Sequence, residues 1–170
     1  MKRLTYLLNC FAATLLFAGC MGYSLGGARP EGVASVTMNA VINKTGEPAI
    51  EIAVTRAMRE RIPFDGRLKL VNEEKDADAA IDITLTKYDL VPIAYRSDLR
   101  STPDIYRLRI TGVAELRKIS SGEVISTSST YGESTFNFQA DLTSSKRDAL
   151  PAAAAEITKF MLDDLIEQWD

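Results

Sequence analysis

Between Val33 and Val41 the chain alternates, with Val33, Ser35 and Thr37 set against Ala34, Val36 and Met38 in a β-branched run that predicts a strand. From Ile50 the period lengthens. Ile50, Ala53, Val54, Ala57, Met58 and Ile62 recur at helical spacing along one face, while Arg56, Arg59 and Glu60 fall towards the other side. Pro48 is placed for the first turn of this helix, and Pro63 with Asp65-Gly66 for its end. A short strand at Arg67–Val71 and the polar turn NEEKDAD follow.

Three longer strand signals come next. Ile81, Ile83 and Leu85 alternate with Asp82, Thr84 and Thr86. Tyr106, Leu108, Ile110, Ala114 and Leu116 point inward, against Arg107, Arg109, Thr111, Glu115 and Arg117 outward. The third, EVISTSSTYGESTFNF, is weaker and interrupted by Gly132, with Tyr131, Phe136 and Phe138 continuing it as core or as interface. A tight SSGE turn joins the last two as a hairpin. The C-terminal stretch from Pro151 is helical, with Ile157, Phe160, Met161 and Leu165 on one stripe, Trp169 close to it, and Pro151 near the first turn or marking a kink.

The predicted order is β-α-β-β-β-β-α. It implies an α+β, two-layer sandwich in which two amphipathic helices pack on one face of a mixed four- to five-stranded sheet. The other face, carrying Asp82, Thr84, Arg107 and Arg109, is left for water or a partner. The segment Pro92–Asp104 reads as a long connection, and loops of that length are usually functional or disordered.

The first residues are a separate unit. Lys2 and Arg3 precede an apolar run from Leu4 to Phe17, and Ala18-Gly19 lead to Cys20. A charged start, a short apolar core and a small-residue exit describe a secretory leader, too short to span a bilayer, for which about 20 residues are needed. Phe17-Ala18-Gly19-Cys20 resembles a bacterial lipobox, with Phe17 where Leu is usual. Plain cleavage nearby, leaving a free thiol, is the alternative. Cys10 leaves with the leader, and lipidation accounts for the remaining unpaired Cys20. Each buried methylene contributes about 0.8 kcal/mol, so several acyl chains on Cys20 hold a domain on a membrane. The expected layout is a signal peptide at 1–19, a lipidated tether at 20–32 and one α/β domain at 33–170. Met21 follows the cysteine, where an Asp in enteric lipoproteins marks inner-membrane retention; by that resemblance the destination is the periplasmic face of the outer membrane.

Charge and composition then narrow the function. The whole chain carries a net charge of −3, and loss of Lys2 and Arg3 takes the mature chain to −5, which offers no footprint for nucleic acid. There is no histidine, which removes the commonest general base and metal ligand and every Ser-His or Cys-His pair. The acidic pairs Asp76/Asp78 and Asp163/Asp164 read as a turn and a solvated helix end. The glycines of GYSLGG lack the Lys-Ser or Lys-Thr of a phosphate loop. No catalytic residue, metal or cofactor is expected.

Several pieces resemble the LptE family of lipopolysaccharide-assembly lipoproteins. They are Gly22-Tyr23 soon after the cysteine; Asn43, Thr45 and Glu51 ahead of a helix carrying Val54-Thr55; and Leu70-Val71 followed by Ala77-Asp78 before the next strand. The likeness is recognisable over residues 20 to 90 and continues by order of elements. It implies a lipoprotein that sits partly inside a large outer-membrane β-barrel of the LptD type, plugs its lumen, supports its assembly and contacts lipopolysaccharide on the way to the surface. Arginine forks pair with phosphates and carboxylates, which makes Arg96 and Arg100 beside Tyr95 the candidate contacts, with Arg107 and Arg109 extending the patch. The plain alternative for these residues is a solvated loop. The alternative function is a membrane-anchored periplasmic scaffold or inhibitor that binds a different protein.

Overall fold

A computed structural model describes residues 29–97, 102–139 and 141–167. Strand β1 (Ser35–Met38) and a brief β2 (Ile42–Asn43) precede helix α1 (Ile50–Asp65). β3 (Lys69–Leu70) and a 3₁₀ turn at Glu74–Asp76 lead into β4 (Ala79–Tyr95), β5 (Pro103–Lys118) and β6 (Val124–Asn137), and α2 (Leu142–Ile166) closes the order. The six strands form one sheet, β3-β1-β4-β5-β6, with β2 pairing β4 beside β1. β1 pairs in parallel with β3 and β4, and β4, β5 and β6 form an antiparallel meander. Both helices lie on one face, so the expected α+β sandwich is the architecture observed, with β2 as an added strand.

Each element forms for a reason visible in its residues. α1 buries Ile50, Val54, Met58 and Ile62, one turn apart, and Gly66 ends it in the left-handed conformation (φ 77°) with its amide on the Ile62 carbonyl. Pro63 sits inside the last turn instead of stopping the helix, and Pro48 lies in the turn before it. β5 alternates without a break from Leu108, burying Leu108, Ile110, Ala114 and Leu116 on one face. These meet Ile157, Met161 and Leu165 of α2 and Ile81, Ile83 and Leu85 of β4 in one core. Fully burying each such side chain stabilises the fold by roughly 1.5–3 kcal/mol.

Three expectations change. The connection expected from Pro92 to Asp104 is shortened from both sides: β4 runs to Tyr95 and β5 begins at Pro103, and the two strands pair as a hairpin. α2 starts at Leu142, so Pro151 lies well inside it; Asp141 caps its start by accepting the Ser144 amide at 2.7 Å. Phe160, expected on the buried stripe, is 38% exposed. Trp169 lies outside the described residues.

Candidate functional site

The sheet face away from the helices is built by register. Arg109 of β5 stands opposite Asp89 of β4 and Glu133 of β6, and Arg107 opposite Val91 and Thr135. Arg109 grips the Glu133 carboxylate through Nε at 2.8 Å and Nη2 at 2.7 Å, and its guanidinium lies 4.3 Å from the centre of the Tyr131 ring. The Glu133 hydrogen bond raises its pKa further, so the cation is permanent. Arg107 only approaches the same carboxylate, at 3.9 Å, too long for a hydrogen bond. At the other end of the face Asp82 accepts from Arg117 at 3.0 Å and from Asn39 at 2.7 Å.

Of the residues singled out from sequence, Arg107 and Arg109 are therefore brought together over one carboxylate. Tyr95, half exposed, ends β4, and the Arg96 backbone amide closes the hairpin end on the Thr102 carbonyl at 3.0 Å. Arg100 and Cys20 lie outside the described residues. Next to this end Tyr106 stacks on Phe136 at 5.8 Å, with Phe138 tilted at 6.3 Å. Val91 and Ile93 are each more than 40% exposed there. Tyr131 belongs to the open face, whereas Phe136 packs against the core.

A second face was missed by the sequence reading. Along the outer side of α1 and α2 runs a groove of about 1030 Å³ lined by Ile52, Phe64, Leu150 and Phe160, with Arg56 and Lys159 at its rim. Ile52 is 66% and Phe64 81% exposed, more apolar surface than a helix leaves in water without reason. Ile52 breaks the stripe of α1 on the polar side, which was the available signal.

Asp78, Asp163 and Asp164 are held in structural contacts. Asp78 accepts the amides of Ala34 and Ser35 at 2.9 and 2.8 Å and the Ser35 hydroxyl at 2.8 Å. Those backbone donors hold its carboxyl below the usual range. Asp163 pairs with Arg67, and Asp164 accepts from the Ser128 hydroxyl at 2.6 Å. Among the described residues no group of acids, histidines or cysteines is disposed to hold a metal ion.

The residues Asn43, Thr45 and Glu51 form a clamp. The Asn43 amide donates to the Glu47 carbonyl and the Glu51 carboxylate, both at 2.8 Å, while its oxygen accepts from the Thr45 amide and hydroxyl. This fixes the turn in which Ala49 takes a left-handed φ of 66°, at a cost of about 1–2 kcal/mol, before a helix with no side-chain cap. Lys146 of α2 reaches the same turn through Glu47 at 2.6 Å. Burial, with Glu47 nearby, pushes the Tyr88 hydroxyl up to about 12.

These groups set the response to pH. With no histidine, the chain lacks the side chain whose ordinary pKa lies nearest neutrality. Asp65, held low first by its hydrogen bond to Arg67, and Asp78 contribute stability that is complete above about pH 4 and lost as pH falls further. Tyr88 contributes stability present below about pH 10 and lost as pH rises towards 12. The urea midpoint should be flat from about pH 5 to 9 and fall on both sides. A slope centred near pH 6.5 would contradict this assignment.

Comparison with known proteins follows the same lines. A family model described as LptE, lipopolysaccharide-assembly, matches residues 33–169. No curated protein matches the sequence. Among solved structures, rare lipoprotein B from Shewanella oneidensis aligns with a TM-score of 0.46 and 12% identity, over 74% of this chain and 92% of that one. A minor lipoprotein from Acinetobacter baumannii gives 0.45 and 11%, over 83% and 99%. Lipoprotein B from Nitrosomonas europaea gives 0.45 and 16%, over 82% and 89%.

Proposed function

The chain belongs to the LptE family of lipopolysaccharide-assembly lipoproteins, a non-enzymatic family, and from that premise we propose that it plugs and supports an LptD-type outer-membrane barrel. In this reading residues 1–19 are removed, Cys20 carries the lipid at the periplasmic face of the outer membrane, and 20–32 tether the domain at 33–170.

The observation that carries the proposal is that the domain is prepared for contact on two opposite faces. One face presents cross-strand charges around Arg107, Arg109 and Glu133, and the other presents exposed Ile52 and Phe64 along the helices. A domain enclosed by a partner would need both, whereas a domain touching a partner once would need one. The scaffold alternative has no specific observation in its favour.

Lipopolysaccharide would meet the charged face and hairpin end. Arg107 can turn its donors to a phosphate without first releasing Glu133, and Arg109 would exchange one carboxylate for another anion. Tyr95, Arg96 and Arg100 would extend the contact at the hairpin end.

One preparation tests both halves. Tagged protein pulled from mildly solubilised membranes should bring down a large β-barrel in near-equal amount, together with lipopolysaccharide. Arg107→Gln with Arg109→Gln should keep the barrel and lose at least about tenfold of the lipopolysaccharide, as hydrogen bonds to charged groups contribute about 1.5–3 kcal/mol each. Absence of any barrel would hand the function to the scaffold reading. Undiminished lipopolysaccharide would clear those arginines of the role.

A further inference from the structure

Among the described residues the sheet has two long edges with no partner strand, and they are built differently. β4 is paired by β1 at Val36–Met38 and by β2 at Ile42–Asn43, and beyond Leu85 no described strand lies on that side. There the edge is disarmed. It carries Lys87, then Pro92, and register shifts at Leu85/Lys87, Pro92/Ala94 and Ala94/Tyr95. Charges, prolines and bulges are the usual devices against edge-to-edge pairing.

β6 has none of these from Ser126 to Gly132; its one register shift, at Leu116/Arg117, lies before Ser126. The segment VISTSSTYG contains no charge and no proline, and its ladder to β5 runs without a shift from Leu116/Ser126 to Ile105/Asn137. Two hydrogen bonds fix which of its backbone groups face outward. The Phe138 amide donates inward to the Asp104 carbonyl, and the Glu133 amide donates away from the sheet to the Glu156 carboxylate of α2 at 2.5 Å. In an antiparallel ladder, bonded and non-bonded pairs alternate. The odd-numbered residues Thr127, Ser129 and Tyr131 therefore point their amides and carbonyls out of the edge. Glu156 covers Glu133, so the available window is centred on Ser129.

The side chains around this window are compatible with a neighbour. Glu156 and Asp164 of α2 both hydrogen-bond β6, and Phe160, one turn from each, is 38% exposed beside it. The surface is also self-complementary. A second copy laid antiparallel about Ser129 places Thr127 opposite Tyr131 and Ser129 opposite itself, with no like charges facing one another inside the window. Thr beside Tyr is a favourable cross-strand pair.

We propose that the β6 edge, centred on Ser129, pairs with the same edge of a second copy of this chain to form a two-fold dimer with one continuous sheet. Three outward residues on each strand exchange backbone hydrogen bonds across the axis, and the two Phe160 rings flank them.

The test uses the full lipoprotein purified in detergent without any barrel, so its outcome is separate from that of the barrel reading. Opposed residues in a hydrogen-bonded pair have Cα atoms about 5.5 Å apart, within reach of a disulfide. Ser129→Cys should form a disulfide-linked homodimer on mild oxidation. Thr135→Cys, exposed on the same strand but outside the window, should not rise above the unsubstituted chain. Ser129→Lys places two ammonium groups at the axis and should raise the dimer dissociation constant in sedimentation at least about tenfold, with the melting temperature of the monomer unchanged. No cross-link, equal cross-linking at both positions, or a dimer untouched by Ser129→Lys would overturn the proposal. Cross-linking of Ser129→Cys in whole membranes only to a different protein would assign the edge to another strand and overturn it too.

Discussion

Replacing Gly132 by alanine should cost about 3–4 kcal/mol, the largest loss expected from any single methyl group added to this protein. A Cβ on Gly132 would run into the backbone nitrogen and Cα of Ile157 and the carbonyl oxygen of Ala153. These are main-chain atoms in the middle of α2, so no side chain can rotate out of the way. The helix would have to lift from β6. Lifting it also strains the bonds from the Ser126 hydroxyl to the Leu165 carbonyl, from Ser134 to the Ala149 carbonyl, and from Ser128 to Asp164. The measurement is urea unfolding of Gly132→Ala beside Gly46→Ala, where an added Cβ has no atom within 4 Å and should leave the midpoint in place. A shift of less than 1 kcal/mol at Gly132 would mean that helix and strand are not held at this distance.

Gly132 also shows where sequence reading fails. Along the chain it looks like an interruption in a weak strand; in the fold it is the point where helix and strand backbones meet. The elements that were legible are those whose burial comes from their own period. α1 shows its stripe because Ile50, Val54, Met58 and Ile62 face the core one turn apart, and β5 shows its alternation because one face packs against α2. The first nine residues of α2, LTSSKRDAL, carry no such stripe. They are held by Asp141 at the cap and by Lys146 on Glu47, contacts with partners chosen by the fold. Pro92 suggested a loop, yet a proline is tolerated in β4 because that part of the strand is an edge.

The charged face was half legible for the same reason. Alternation put Arg107 and Arg109 outward, but only the β5–β6 register sets them over Glu133, 24 positions from Arg109. Tyr131 under Arg109 likewise follows from register, since it stands two residues along from Glu133 on the same face. The family-like residues were legible as a pattern and not as a mechanism. The clamp made by Asn43 gives the Asn, the Thr and the Glu at that spacing a mechanical role: they hold a strained turn ahead of an uncapped helix.

Removing the guanidinium of Arg67 should be as damaging as the alanine at Gly132, for an electrostatic reason. Arg67 leaves α1 just after its cap and reaches three carboxylates: Asp65 at 2.6 Å, Asp163 at 2.8 Å and Glu167 at 2.8 Å. It thereby ties the end of α1 to the last turn of α2. Its own side chain is only 12% exposed and that of Asp65 only 8%. Arg67→Ala leaves the Asp65 carboxylate buried, with Arg61 at 3.8 Å as a poor substitute. Breaking a buried pair from one side costs about 3–5 kcal/mol, mostly the penalty of the stranded charge. Two controls separate this from lost packing. Adding Asp65→Asn to Arg67→Met should recover much of the loss, because no charge is then stranded. The difference between wild type and Arg67→Ala should also shrink as pH falls below about 4, since Asp65 is held low by Arg67 in the folded chain and titrates near 3.9 when unfolded. High salt should change the difference little, because the pair is shielded from screening ions. A loss that stayed constant down to pH 2 would assign the effect to the arginine's methylenes and not to its charge.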